Sequence, residues 1–159
     1  MLRRWLNAVQ RNHGLEHATV AVFLARHGPT RLAGRASGDG FFILGDVSDD
    51  ALRASADEAL RRLQAGEASL AVSPLCGTNI AVTALLAATA ATAVLSSGPR
   101  RSRFGNAVTA SMIAVIVAQP LGRLVQRYVT TRADLEHVAL VDIRTVLPGI
   151  RKVRTRSTR

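Results

Sequence analysis

Two long stretches without charged side chains dominate the hydropathy pattern, at 78–97 and 104–122. About 20 largely apolar residues are enough for a helix to cross the hydrocarbon core of a bilayer. The segment between them, "GPRRSR", has the Pro and Gly of a turn and three arginines. The pattern predicts a two-pass transmembrane hairpin, in which many small residues allow close helix packing. The alternative is two buried helices of a soluble protein, because the first stretch is alanine-rich and Gln119 and Pro120 interrupt the second.

Helical patterns also precede this hairpin. Residues 2–10 match either a short amphipathic helix on a membrane surface or the first turns of a core helix. Asn12 is a favourable N-cap for a helix that runs to about Arg26 and stops at Gly28. A surface helix is predicted over 48–67, with Ser48 as its N-cap and one apolar side. The residues of that side are Leu52, Ala56, Leu60 and Leu63.

Strand patterns are shorter and lie on both sides of the hairpin. Two apolar-rich segments flank "ASGDG" (36–40), whose Asp-Gly pair is typical of a β-hairpin turn. Further strands are predicted at 69–73 and 137–146, where apolar and polar residues alternate. The segment 148–159 is basic and has no acidic residue, so it is predicted to be disordered.

Together these elements predict an α+β membrane protein with a two-helix transmembrane hairpin. Residues 1–77 and 123–147 would form a small head that contains a β-hairpin, an amphipathic helix and one or two further strands. Residues 78–122 would form the hairpin, and 148–159 would be the disordered tail.

The charge balance points to a lipid bilayer as partner. The formal net charge is +10, which is typical of chains that meet nucleic acid or anionic lipid. Aromatic residues make up only 4% of the chain, and no zinc-finger or RNA-binding signature is present, so nucleic acid is not expected. The basic residues after the second apolar stretch, Arg123, Arg127 and Arg132, compete with three loop arginines in setting orientation. We expect cytoplasmic termini and note that the pattern is compatible with a homo-oligomer.

The segment "HGLEH" contains the first candidate chemistry. On a helix, His13 and His17 are four residues apart and project from one face, so both imidazoles can bind one metal ion. Glu16 borders that face and could accept a proton from a metal-bound water. Gly14 is unfavourable inside a helix and indicates that another segment approaches closely there. The alternative is a polar helix face on which these side chains meet only water or each other.

Cys76 in "SPLCGTN" is the second candidate. Catalytic zinc usually has three protein ligands and one position for water, so Cys76 could be the third ligand. It precedes the first apolar helix, with Thr78 or Asn79 as the expected cap, and the positive end of the helix dipole favours the metal-binding thiolate. Two alternatives stay open: a small buried apolar residue, or a nucleophile with a histidine as its base. A single cysteine cannot form an internal disulfide.

The two boxes together resemble a group of uncharacterised bacterial membrane-protein families, catalogued as domains of unknown function, with HG-x-EH-x-T and HP-x-CGT boxes. "GDV" after the β-hairpin and "PLG…VTT" (120–131) extend the resemblance. Some families of the group are described as predicted metal-dependent enzymes, which implies a metal site in the bacterial plasma membrane. The H-x-x-E-H box is also similar to that of inverzincin-type metallopeptidases. Where these relatives often have histidine before the proline, this chain has Ser73.

The sequence thus predicts a small membrane metallohydrolase. His13, His17 and Cys76 would hold zinc, and Glu16 would activate water against a peptide, amide or ester carbonyl. The alternative is a non-catalytic membrane protein with a structural metal or polar cluster and a cytosolic face that binds a partner.

Overall fold

The computed structural model describes residues 1–97 and 102–158. Its first element is one helix, α1 (Leu2–His27), with no break near residue 12. The predicted N-cap role of Asn12 is therefore wrong. The amide of Asn12 is buried and joins α1 to the sheet, since it donates to Ser37 O (2.7 Å) and accepts from Thr155 Oγ1 (2.7 Å). The predicted stop is confirmed: Gly28 follows α1 with φ +80°.

A four-stranded antiparallel sheet packs against α1. Its strands are β1 (Ala33–Ser37), β2 (Gly40–Leu44), β3 (Val138–Leu147) and β4 (Ile150–Ser157), in the spatial order β1-β2-β4-β3. The predicted β-hairpin is confirmed as β1 and β2, and the predicted strand at 137–146 is confirmed as β3. The sheet makes the fold α+β.

The prediction of a disordered tail over 148–159 is wrong, because β4 pairs with both β2 and β3. Individual side-chain contacts accommodate the positive charges of β4. Val153 faces the core, while Lys152 donates to Ser37 and Asp39 and lies 4.1 Å from the centroid of the Phe42 ring. The hydrogen bonds from Lys152 and Ser37 hold the pKa of Asp39 below its usual value.

The surface helix is confirmed as α2 (Asp49–Gln64), with the Ser48 hydroxyl accepting from the Ala51 N–H at 3.2 Å. Of its predicted apolar side, Leu52, Leu60 and Leu63 join one core with residues of α1, β2 and β4, and Ala56 is buried. The predicted strand at 69–73 is wrong, since Ala68–Ala71 forms a 3₁₀ turn. Alternation over so few residues does not separate a strand from a turn that packs one side chain inward, as Ala71 does here.

The two apolar stretches form helices α3 (Gly77–Ser97) and α4 (Arg103–Val125). α4 continues through Pro120, beyond its predicted end at 122, and a π-helical turn follows at Gln126–Thr130. By length and composition, α3 and the helix that α4 forms with this turn (Arg103–Thr130) could each cross a membrane. The predicted arginine-containing turn falls mostly on 98–101, outside the described residues.

The chain divides into two compact units, Met1–Ser73 with Arg127–Arg159 and Pro74–Gln126. The first unit contains α1, α2 and the sheet, and is called the head below. The second contains α3 and α4 and is called the hairpin.

Candidate metal centre

His13 and His17 lie one helical turn apart on α1, as predicted. Their ring centroids are 4.4 Å apart and the ring planes are tilted by 59°. His17 is buried and His13 is half-buried. Helix geometry thus brings two imidazoles into direct contact inside the head.

Backbone carbonyls fix one nitrogen of each ring. His13 Nδ1 lies 2.9 Å from Thr130 O, and His17 Nδ1 lies 2.9 Å from Ala71 O. A carbonyl oxygen only accepts hydrogen bonds, so each Nδ1 carries the proton. In the neutral form of such a ring the lone pair is on Nε2, which is the atom that remains for a metal ion.

Gly14 allows the two segments that supply these carbonyls to approach α1 closely. A Cβ on Gly14 would overlap the carbonyl oxygen of Arg132 and would lie 3.1 Å from Ala71 Cβ. The two segments that hold the histidines therefore pack on the helix backbone at a position where no side chain fits. The prediction that another segment approaches closely at Gly14 is confirmed.

An ion-pair network anchors the segment that carries Thr130. Asp134 accepts from Arg11 at 2.7 Å and from Arg132 at 2.8 Å, and the Arg132 N–H donates to Gln10 O at 3.0 Å. Burial of the Asp134 carboxyl raises its pKa, but the hydrogen bonds from the two arginines outweigh this effect and lower the pKa to about 2. The Thr130 hydroxyl oxygen is itself buried and has no hydrogen-bond partner among the described residues.

Glu16 is buried in the head and extends over β1. A Cβ on Gly34 would overlap the carboxyl group of Glu16, so glycine at this point of the strand makes room for the side chain. Glu16 precedes His17 in the same turn of α1. The head therefore contains two imidazoles and one carboxyl group on neighbouring turns of one helix.

Cys76 belongs to the hairpin unit and is buried. It directly precedes α3, and its Sγ accepts from the Thr78 N–H at 3.4 Å. The sulfur thus occupies the capping position, and the predicted cap at Thr78 or Asn79 is wrong because α3 already begins at Gly77.

Asn79 and Gln126 form a buried polar pair that the sequence reasoning did not assign. Gln126 Nε2 donates to Asn79 Oδ1 at 2.9 Å, and Asn79 Nδ2 donates to Pro74 O at 3.1 Å. A Cβ on Gly122 would overlap Asn79 Oδ1. The segments "CGTN" and "PLG" are therefore complementary parts of one helix–helix contact. In the sequence, the occurrence of both segments together was the feature from which this contact could have been predicted.

Comparisons with known proteins place the chain among uncharacterised proteins. Residues 8–143 match the model of a family described as a domain of unknown function, DUF6391. An uncharacterised protein of Picosynechococcus sp. (strain ATCC 27264 / PCC 7002 / PR-6) is 38% identical over 152 residues, which cover 88% of this chain and 73% of the relative. No solved structure matches. The resemblance to an uncharacterised protein group is thus confirmed, while the likeness to inverzincin-type metallopeptidases stays a prediction. The chain belongs to the DUF6391 family.

Proposed function

We propose that this protein is a small integral-membrane metal-dependent hydrolase that uses zinc. His13, His17 and Cys76 hold the ion, and Glu16 is the general base. Two imidazoles and a thiolate are ligands that zinc favours. The observation that carries the proposal is the hydrogen bonding of both Nδ1 atoms to carbonyls, which assigns both lone pairs to Nε2.

A bound zinc ion would lower the pKa of a water molecule and polarise a carbonyl. Glu16 takes the proton of the attacking water and transfers it to the leaving nitrogen or oxygen as the bond to the carbonyl carbon breaks. The burial of Glu16 and His17 supports this role, because a poorly solvated site strengthens the electrostatic interaction between an ion and its ligands. The substrate class is then a peptide, an amide or an ester.

The membrane location rests on the two apolar helices. Their exposed side chains include Ile80, Leu85, Ile113 and Ile116, each more than half exposed. Such a surface is unfavourable in water and favourable in lipid. The bacterial plasma membrane with cytoplasmic termini is the proposed location. Carbonate extraction tests it: the full-length chain should stay in the membrane pellet, and its release would contradict integral insertion.

A second candidate is a non-catalytic membrane protein with a structural metal or polar cluster. The position of Glu16 favours it, since the carboxyl group packs on Gly34 and contributes to the contact between α1 and β1. In this case Glu16→Gln would lower the stability of the head without removing an activity.

Metal analysis of the detergent-purified full chain tests the first candidate. We expect one zinc ion per chain in the wild type and in His137→Ala, because His137 is exposed and outside the centre. His17→Ala should lose the metal while keeping the hairpin helices, as followed by far-UV circular dichroism. Absence of bound metal in the wild type would remove the enzyme proposal.

Cobalt substitution tests the thiolate. A cysteine ligand gives an intense sulfur-to-cobalt charge-transfer band, which Cys76→Ser should abolish while cobalt stays bound to the histidines. If Cys76 is instead a nucleophile, the band is absent in the wild type and an alkylating probe labels the thiol without a chelator. For the base, Glu16→Gln should retain metal and lose about 100-fold or more in the hydrolysis of p-nitrophenyl acetate or a fluorogenic peptide library. Equal rates for this variant and the wild type would support the structural candidate.

A further inference from the structure

The first turns of α1 expose an apolar surface. Leu2, Trp5 and Leu6 are 71%, 55% and 43% exposed. Trp5 nevertheless has a fixed position, because its indole lies against the β1–β2 turn: a Cβ on Gly38 would be 2.8 Å from Trp5 Nε1. An aromatic side chain that is held in place on one side and exposed on the other is a suitable contact for a partner surface.

The segment that follows α4 extends this surface. Gln10 Nε2 donates to Val129 O at 2.7 Å, so residues 127–130 run beside α1 one turn beyond Leu6. Tyr128 is 72% exposed and Val129 is 59% exposed. We call these five side chains the N-terminal apolar surface: Leu2, Trp5, Leu6, Tyr128 and Val129. All five belong to the head unit.

Arginines border this surface, and the one carboxylate in the turn that Trp5 contacts, Asp39 next to Gly38, is paired with Lys152. Arg3, Arg4 and Arg127 are exposed beside it. Residues 1–15 and 68–133 contain no acidic residue. The nearest carboxylate along the chain, Asp134, is already paired with Arg11 and Arg132. The N-terminal apolar surface is thus bordered by arginines and complements an anionic partner.

We propose that the N-terminal apolar surface lies in the headgroup region of a bilayer that contains anionic lipid. The inference rests on the proposed membrane location. A tryptophan and a tyrosine with apolar bodies and polar tips suit the membrane–water interface, and arginines beside them bind anionic headgroups. Residues 127–130 also form the last turn of the second candidate membrane span (Arg103–Thr130), where the polypeptide would leave the hydrocarbon. A soluble protein partner would not require this position in the sequence.

Trp5 is the only tryptophan, so its fluorescence reports on this surface without a label. The full chain is reconstituted in vesicles of phosphatidylcholine and phosphatidylglycerol in equal amounts, with lipids brominated either near the headgroup or deep in the acyl chain. Shallow bromines should quench Trp5 strongly, deep bromines weakly, and aqueous iodide hardly at all. In these vesicles, Arg3→Gln and Arg4→Gln should each lower the equilibrium constant for binding of the N-terminal apolar surface to the headgroup region about fivefold. The change is measured as weaker quenching of Trp5 by shallow bromines. The control Arg53→Gln, on the exposed side of α2, should leave the quenching unchanged.

Two outcomes would overturn the inference while leaving the hairpin proposal intact. If the chain resists carbonate extraction but iodide quenches Trp5 and brominated lipid does not, the surface faces water. If neither agent quenches Trp5 in the inserted chain, protein covers the surface, and a second copy becomes the occupant to consider. Release of the chain by carbonate would overturn the membrane location and this inference together.

Discussion

Replacing Gly14 by alanine distinguishes helix propensity from tertiary packing, because the two predict opposite changes in the stability of the head. Inside a helix, alanine is more favourable than glycine by about 1 kcal/mol, so propensity alone predicts stabilisation. The structure predicts the opposite. The new methyl group would overlap the carbonyl oxygen of Arg132, well inside the 3.4–4 Å of ordinary contact.

The clash is costly because the obstacle is backbone. Arg132 is held by the hydrogen bond from its N–H to Gln10 O and by its ion pair with Asp134, so it cannot rotate away as a side chain would. Overpacking of this kind costs about 1–3 kcal/mol, and a fixed backbone oxygen places the cost near the upper end. After the gain in propensity, we expect Gly14→Ala to destabilise the head by about 2 kcal/mol, or about 10 °C in Tm.

The assay is thermal unfolding in detergent, followed by Trp5 emission, which reports on the unit that contains Gly14. Ala21→Gly is the matched control, because Ala21 is exposed on the same helix and should lose about 1 kcal/mol through propensity alone. Gly14→Ala and Ala21→Gly are opposite substitutions, and both should lower Tm. A Tm of Gly14→Ala at or above the wild-type value would refute the packing argument.

Three further predictions concern the head. Asn12→Ala should destabilise it by about 2–3 kcal/mol, because two hydrogen bonds are lost and their partners are left unsatisfied, whereas Ala21→Ser should stay within about 0.5 kcal/mol; urea unfolding measures both. The pKa of Asp134 is lowered from 3.8 to about 2, so its stabilising contribution is complete above about pH 4 and is lost as pH falls through about 2. Since Asp134 is 43% exposed, we expect about 1 kcal/mol at most, measured as the pH dependence of Tm for wild type against Asp134→Asn; an identical profile would contradict the argument. A stop codon after Leu147 should abolish cooperative unfolding of the head, because it removes β4 from between β2 and β3; a stop codon after Ser157 is the control.

The elements predicted correctly are those with local causes. α2 has its N-cap, its acidic first turn and its apolar side within one segment, and β1 and β2 meet across an Asp-Gly turn. β4 was missed because its charges resemble those of a solvated tail. The groups that neutralise them, such as Asp39 for Lys152 and Asp49 for Arg151, are about a hundred residues away along the chain.

The candidate centre shows the same division. The spacing of His13 and His17 is a property of one helix, and the contact between their rings was predictable from it. The groups that set the tautomers, Ala71 O and Thr130 O, are backbone carbonyls and carry no residue signature. Of these tertiary contacts, only the close approach of another segment at Gly14 was predictable from the sequence. The role of Asn12 was predicted wrongly because asparagine can serve either as an N-cap or as a buried amide, and the sequence does not distinguish the two.

The pairing of β2 with β4 constrains the order of biogenesis. Gly40 pairs with Arg154 and Leu44 with Ile150, so the ribosome makes both apolar helices between the two halves of this ladder. One edge of β2 in the early half, residues 1–73, therefore stays unpaired while the hairpin is synthesised. Closure across so long a loop is slow, and an open strand edge during that delay is prone to aggregation. The need for chaperones during synthesis should therefore depend on how long β2 stays unpaired before residues 150–157 are made.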